Sequence, residues 1–283
     1  MNTNNNVYTV VYTTVIVVVV AAILAFVSQS LKEKQDANEK AETMSQMLTS
    51  AGYGTKAELD RLGNVAKLDK YAEEIENAFI INLEGEKLSD LGIARENLEV
   101  YGPKDLKRQN YNIKGGANAT GDATIPVFVF KNGRTVVPIY GAGLWGPIWG
   151  YISFNSDLTI GGAYFDHESE TAGLGAKIKD DPSFQAEFVG EKAFFMESNV
   201  FDIVKGGAPR DADGKSVVDN KIDAITGATM TSQGLDAAID TWLAAYAKYF
   251  LGAEPSCGKP CCGGEAKEEP CEGSCDKHQE MEE

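Results

Sequence analysis

No charged side chain occurs before Lys32 in this 283-residue chain, and Val7–Val27 is a run of 21 residues without charge, Gly or Pro. At 1.5 Å per residue a helix of that length is about 30 Å long, the thickness of bilayer hydrocarbon. Its core, VIVVVVAAILAFV, is β-branched and a poor helix former in water. In lipid, however, only a helix satisfies every backbone group of a lone segment. Tyr8 and Tyr12 suit the interface at its start. The run therefore predicts one transmembrane helix over residues 7–27, preceded by a flank at 1–6. A cleaved secretory leader competes, but it needs a basic n-region that MNTNNN lacks. No second apolar run of this length follows, so a single-pass chain with all later residues on one side is expected. Lys32 and Lys34 just beyond the span favour a cytoplasmic location for those residues, although Glu33 and Asp36 offset them.

The 26 Lys and Arg stand against 42 Asp and Glu, a formal net charge of −16. That excludes nucleic acid as a partner, because binding a phosphate backbone requires clustered positive charge. Residues 36–120 read as a helical and irregular part. Met44, Met47 and Leu48 share one helix face there, and Leu68, Tyr71, Ala72, Ile75 and Phe79 fall at helical spacing in a second stretch. AFIINLEGEKL reads as a first strand and turn, and the polar stretch at 88–122 as irregular. In PVFVFKNGRTVVPIY, Asn132-Gly133 between two apolar runs signals a hairpin. IWGYISF, LTIGGAYF, AFFMES and FDIVKGG read as further strands. From Thr231 the period turns helical, with Leu235, Ile239, Trp242, Leu243, Tyr246 and Phe250 on one face. The expected fold class is α+β, a largely antiparallel sheet with flanking helices behind one N-terminal membrane helix.

Gly141-Ala-Gly143-Leu-Trp-Gly146 matches the dinucleotide pattern G-x-G-x-x-G, with Asp166 twenty residues on. That fingerprint needs a helix opening inside the glycines, whereas PIWGYISF reads as a strand, so a Rossmann unit is not expected. Two readings of the loop remain. In one, Trp145 and Trp149 pack in the core around a Gly-rich turn; in the other, a Gly-lined wall admits a flat ring beside Trp145. With only His167 and His278 in the chain, a Ser-His-Asp hydrolase has little support. Asp211-Ala-Asp213-Gly214 resembles the start of a calcium loop but lacks the later ligands. The segment Asp223-Ala-Ile-Thr226-Gly227-Ala228-Thr229-Met-Thr231-Ser232 precedes the last helix. Its hydroxyls either cap that helix, through Thr231 or Ser232, or serve a phosphate held at the helix N-terminus.

TGAT, with Asp223 three residues before Thr226, resembles the flavinylation motif of the FMN-binding domain family. The resemblance implies a flavoprotein carrying covalent FMN through a phosphoester on Thr229. Asp223, Thr226, Gly227 and Ala228 then form the sequence that a flavin transferase recognises. His167-Glu-Ser-Glu170-Thr171-Ala-Gly173-Leu174-Gly175 is similar to the family's H-x-E-T-P-G-L-G segment, with Ala172 in place of Pro and one extra residue after His167. On that match Glu170, Thr171 and Leu174 line the flavin site, with Trp145 beside them. Lys205, in IVKGGA, matches a family lysine that could stabilise reduced flavin; otherwise it is a solvated strand-end lysine. Residues 121–251 are expected to form the FMN-binding domain.

Within the family, YGAGLWGPIWG, the single span and the length are similar to C subunits of Na⁺-translocating NADH:quinone oxidoreductases, and less so to Rnf-type G subunits of ferredoxin:NAD oxidoreductases. This implies an electron-transfer subunit, not catalytic alone, of a bacterial inner-membrane complex. Its partners would be other subunits of the redox complex, a flavin transferase during maturation and the lipid bilayer, with the soluble part periplasmic. The resemblance stops at residue 251. The tail 252–283 carries nine acidic and three basic residues and is expected to be disordered. Cys257, Cys261, Cys262, Cys271, Cys275 and His278 have spacings looser than metal-binding patterns, so no metal site is expected. The alternative from another class is a membrane-anchored binding or metal-buffering protein that works through this tail.

Overall fold

The computed structural model describes residues 6–193, 195, 200–210, 218 and 220–252. Helix α1 (Asn6–Ala51) runs unbroken for 46 residues, because no Gly or Pro interrupts it. Every side chain from Val7 to Val27 except Tyr8 is exposed, and Tyr8 stacks on Tyr12. From Ala41 onward the same helix buries Met44, Met47, Leu48 and Ala51 at helical spacing. Gly52, at φ +86°, ends it in a left-handed turn. Short α2 (Lys56–Asp60) and α3 (Asn64–Glu74) follow.

Six strands, β1 (Ile75–Ile81), β2 (Lys87–Asp90), β3 (Ile125–Phe130), β4 (Thr135–Ala142), β5 (Pro147–Phe154) and β6 (Ile160–His167), form one antiparallel sheet in the order β2-β1-β3-β4-β5-β6. The hairpin between β3 and β4 turns at Gly133, φ +80°. Strand residues alternate between two apolar layers. Phe128, Val136 and Tyr151 pack with Met44, Met47, Leu48 and Tyr71 on one face. Val127, Val137 and Ile152 pack with Leu235, Ile239 and Trp242 on the other. Covering both faces is why these strands read as nearly continuous apolar runs. The second cover consists of α4 (Pro103–Lys114) and α7 (Thr229–Phe250), joined where Trp242 Nε1–H donates to Asn110 Oδ1 at 3.2 Å. A parallel pair, β7 (Asp202–Val204) and β8 (Lys221–Asp223), lies beside α7. Helices α5 (Lys177–Asp180) and α6 (Pro182–Ala186) flank β6.

The architecture is the expected antiparallel sheet with flanking helices. Some local expectations are corrected. Ile75 and Phe79 belong to β1 rather than continuing α3, because a strand buried on alternate sides overrides the short helical period. The polar stretch at 88–122 contains α4, started by Pro103 and burying only Leu106, Gln109 and Asn110. Of AFFMES, Phe194 and residues 196–199 lie outside the described residues; Ala193 is in no strand, and only the neighbouring Lys192 forms an isolated bridge, with Thr159. The acidic turn at Asp211, Asp213 and Gly214, all five cysteines and His278 also lie outside the described residues. The two sequence-derived parts, 36–120 and 121–251, share the sheet, since β1 pairs with both β2 and β3.

Candidate functional site

Thr226-Gly227-Ala228 is the turn that carries the chain from β8 into α7, and Thr229 is the first residue of that helix. Gly227 holds φ +83°, a conformation that side chains with a Cβ rarely adopt. A Cβ there would also lie 3.0 Å from Leu174 Cδ2. The α7 N-terminus has no side-chain cap and no acidic residue in its first turn, so its amides and its dipole remain available. Neither proposed cap operates. Ser232 Oγ instead accepts from Ile225 N–H at 3.1 Å, and Thr231 Oγ1 donates to Glu170 Oε2 at 2.7 Å. Thr231 is buried with its hydroxyl engaged. Thr229 is half-buried, and its hydroxyl meets no partner among the described residues.

Glu170 is the junction of three segments. Its Oε1 accepts from Trp145 N–H at 2.9 Å while Oε2 takes the Thr231 hydroxyl, and the residue is 8% exposed. Gly143 and Gly175 close over it: a Cβ on either would fall inside van der Waals contact of a carboxylate oxygen. The Gly-rich loop is fixed further where Ser169 Oγ donates to Trp145 O at 2.8 Å. His167 Nδ1 accepts from Glu170 N–H at 3.1 Å, so the extra residue after His167 is absorbed into a turn that this imidazole closes. Thr171 is exposed, and its carbonyl accepts from the N–H groups of Leu174 and Ala176.

No helix follows the G-x-G-x-x-G glycines, since β5 begins at Pro147. Asp166 is buried and engaged structurally, accepting from Gln46 Nε2 at 2.7 Å and pairing with Lys179 at 2.8 Å. Trp149 is half-buried and donates its indole N–H to Gln46 Oε1, whereas Trp145 is 66% exposed. With Leu144, Leu174 and Met230, Trp145 makes a set of exposed large apolar side chains on the three segments that Glu170 joins. Isolated exposed apolar residues are ordinary, but a set at one junction marks a place where something binds.

Asp223 ends β8 and is tied down: Oδ1 accepts from Ala208 N–H at 2.6 Å, and Oδ2 pairs with Arg210 at 2.8 Å. Lys205 is exposed on the turn after β7, whose Val204 is the register partner of Asp223. That region is clasped to α7 by two carboxylates. Asp236 accepts from Ile203 N–H, and Asp240 accepts from Val200 and Phe201 N–H. Desolvation by burial pushes Asp236 up to about 6 and raises Asp240 as well.

The structure thus brings together Glu170, Thr171, Leu174, Trp145, Gly227 and the start of α7, with Asp223 and Lys205 on the adjoining parallel pair. The sequence pattern did not single out Thr231 as Glu170's partner, nor Leu144 and Met230. The position of Met230 between two threonines, at the first turn of an amphipathic helix, was the available signal.

The FMN-binding domain family matches residues 143–244. The C subunit of the Na(+)-translocating NADH-quinone reductase of Vibrio parahaemolyticus is 27% identical over 233 residues, covering 78% of this chain and 84% of that protein. Its counterpart from Haemophilus ducreyi is 26% identical over 231 residues, 78% and 82% of the two chains. A crystal structure of the C subunit of the same reductase from Parabacteroides distasonis is similar at a TM-score of 0.58 and 33% identity, covering 78% of this chain and 96% of that one.

Proposed function

The chain belongs to the family of C subunits of Na(+)-translocating NADH-quinone reductases, FMN-binding electron-transfer subunits of an oxidoreductase complex, and we propose that it carries its FMN as a phosphoester on Thr229. The observation that carries this is the contrast between two hydroxyls: Thr231 is spent on Glu170, while Thr229 is unengaged at an uncapped helix N-terminus. A phosphodiester fits there, because the Thr229 oxygen becomes the ester oxygen and the remaining negative charge meets the α7 amides and dipole. Bound FMN supplies one-electron chemistry to the complex. The residues of this chain hold and shield it. Trp145 and Leu174 offer apolar cover, Gly227 leaves room for close approach, and Thr171 lines the same turn. Lys205 supplies a cation on the adjoining edge, and Asp223 with Thr226, Gly227 and Ala228 forms the sequence a flavin transferase recognises.

The exposed apolar run of α1, by length and composition, suits a single membrane crossing. We assign the folded part to the periplasmic side, as the family resemblance implies and against the thin charge signal of Lys32 and Lys34. Its partners there are the other subunits of the complex. After co-expression with a flavin transferase and denaturing electrophoresis, the band should fluoresce for the wild type and for Thr231→Val and be dark for Thr229→Val. Equal labelling of Thr229→Val refutes the assignment.

A further inference from the structure

We infer that Glu170 is a positioning residue rather than a flavin contact: it sets the rotation of the first turn of α7 so that Thr229 presents its hydroxyl outward for FMN attachment. This rests on the reading of Thr229 as the attachment site. Each carboxylate oxygen accepts from a protein donor, the Trp145 amide at 2.9 Å and the Thr231 hydroxyl at 2.7 Å. The residue is 8% exposed, with Gly143 and Gly175 pressed against its carboxylate. Each oxygen keeps a further lone pair, but burial and the two glycine backbones turn the carboxylate toward its protein donors rather than toward a ligand. No Lys or Arg pairs with it among the described residues, so its two partners are neutral donors held by geometry alone.

The consequence for Thr229 follows from helix geometry. Residues two apart on an α-helix are rotated by about 200°, so their side chains point about 160° apart, to nearly opposite sides. Anchoring the Thr231 hydroxyl inward, onto a carboxylate fixed by the opposite loop, turns the Thr229 side chain away from the core. The same carboxylate fixes the Trp145 amide, so the apolar loop and the attachment point are registered by one group. The room is matched closely: a Cβ on Gly175 would also lie 2.6 Å from Thr231 Oγ1. In the attachment step Thr229 Oγ1 bonds to the FMN phosphorus of a flavin dinucleotide. The bond from that phosphorus to the departing mononucleotide breaks, and the hydroxyl proton leaves to the transferase. In-line substitution at phosphorus is sensitive to the placement of the attacking oxygen, and a misplacement near 1 Å can lower such a rate roughly a hundredfold.

The test uses the detergent-solubilised full chain in its apo form, purified flavin transferase and flavin adenine dinucleotide. Initial labelling rates are read from gel fluorescence, well below the melting temperature of each variant. Glu170→Ala and Thr231→Val should label roughly tenfold to a hundredfold more slowly than wild type, though to the same final extent, with the loss in kcat rather than KM of the transferase. Glu170→Gln keeps an acceptor for the Trp145 amide and a group able to bond Thr231, and Thr231→Ser keeps the hydroxyl. Both should label within about threefold of wild type, a rescue that a role for the carboxylate charge at the flavin would not give. Wild-type rates in Glu170→Ala, or a Glu170→Gln variant as slow as Glu170→Ala, overturn the positioning role. Labelling of Thr229→Val instead overturns the attachment site itself, so the two failures are distinct.

Discussion

The carboxylate clasp between α7 and β7 makes a measurable claim about pH. Asp236 is pushed from an ordinary aspartate value of 3.8 up to about 6, chiefly by desolvation, with Asp240 and Asp202 adding repulsion and the Ile203 amide opposing. The neighbouring charges are Asp240, itself raised by burial, and Asp202, which is paired with Lys221 at 3.0 Å. The folded protein holds the Asp236 proton up to about pH 6 and the unfolded chain only up to 3.8. This group therefore stabilises the fold fully below pH 3.8, and that contribution is lost as pH rises through about 6. At about 1.4 kcal/mol per pH unit the ceiling is about 3 kcal/mol. Asp236 is only partly buried, and solvent screening reduces the expected effect to about 1–2 kcal/mol. Asp236→Asn keeps an acceptor for Ile203 and removes the buried charge. It should raise Tm by roughly 3–6 °C at pH 8, with little gain at pH 4. Thermal unfolding of both proteins across that range checks it. An equal shift at both ends, or a loss of stability at pH 8, refutes the desolvation argument.

Other expectations concern the core and the anchor. Trp242→Ala empties the largest fully buried side chain and strands Asn110 Oδ1, so it should cost about 3–5 kcal/mol, read as a shift in the urea midpoint. Deleting residues 1–31 removes, among the described residues, only helix that is exposed apart from Tyr8; the product should partition into the soluble fraction with a Tm within about 2 °C of the full chain. Deleting residues 1–51 also removes Met44, Met47 and Leu48 from one of the two apolar layers, at about 2–5 kcal/mol each, comparable to the whole stability of a domain. That product should lack the near-ultraviolet circular dichroism of the full chain.

Long and strongly patterned elements were legible in the sequence. The charge-free run, the Asn132-Gly133 hairpin and the amphipathic face of α7 each carry a local signal strong enough to stand without tertiary context. Helix α4 was hidden because it buries only a few side chains, two of them polar: Gln109 accepts from Thr124 N–H, and Asn110 accepts from Trp242. Ile75 and Phe79 misled because a strand entered directly from a helix prolongs an apparent helical period. At the site, TGAT named the turn, but the distinct fates of Thr229 and Thr231 depend on Glu170, 61 residues away in sequence, and no local pattern encodes that bond.

The unbroken course of α1 has a mechanical consequence. Asp36, where the helix first lines a cleft with Val100 and Gly102, lies nine residue steps beyond Val27, or about 14 Å of rigid rod. A headgroup layer is only about 5–8 Å deep. With the apolar run in the bilayer, the folded part stands off the lipid surface instead of resting on it. It is denied the wide search volume that a flexible linker of the same length would allow. Its motion reduces to tilt and rotation of one stiff lever whose far end is bolted to the sheet through Gln46 and Asp166. With the membrane crossing proposed above, redox partners would have to come within reach of a carrier held at fixed height.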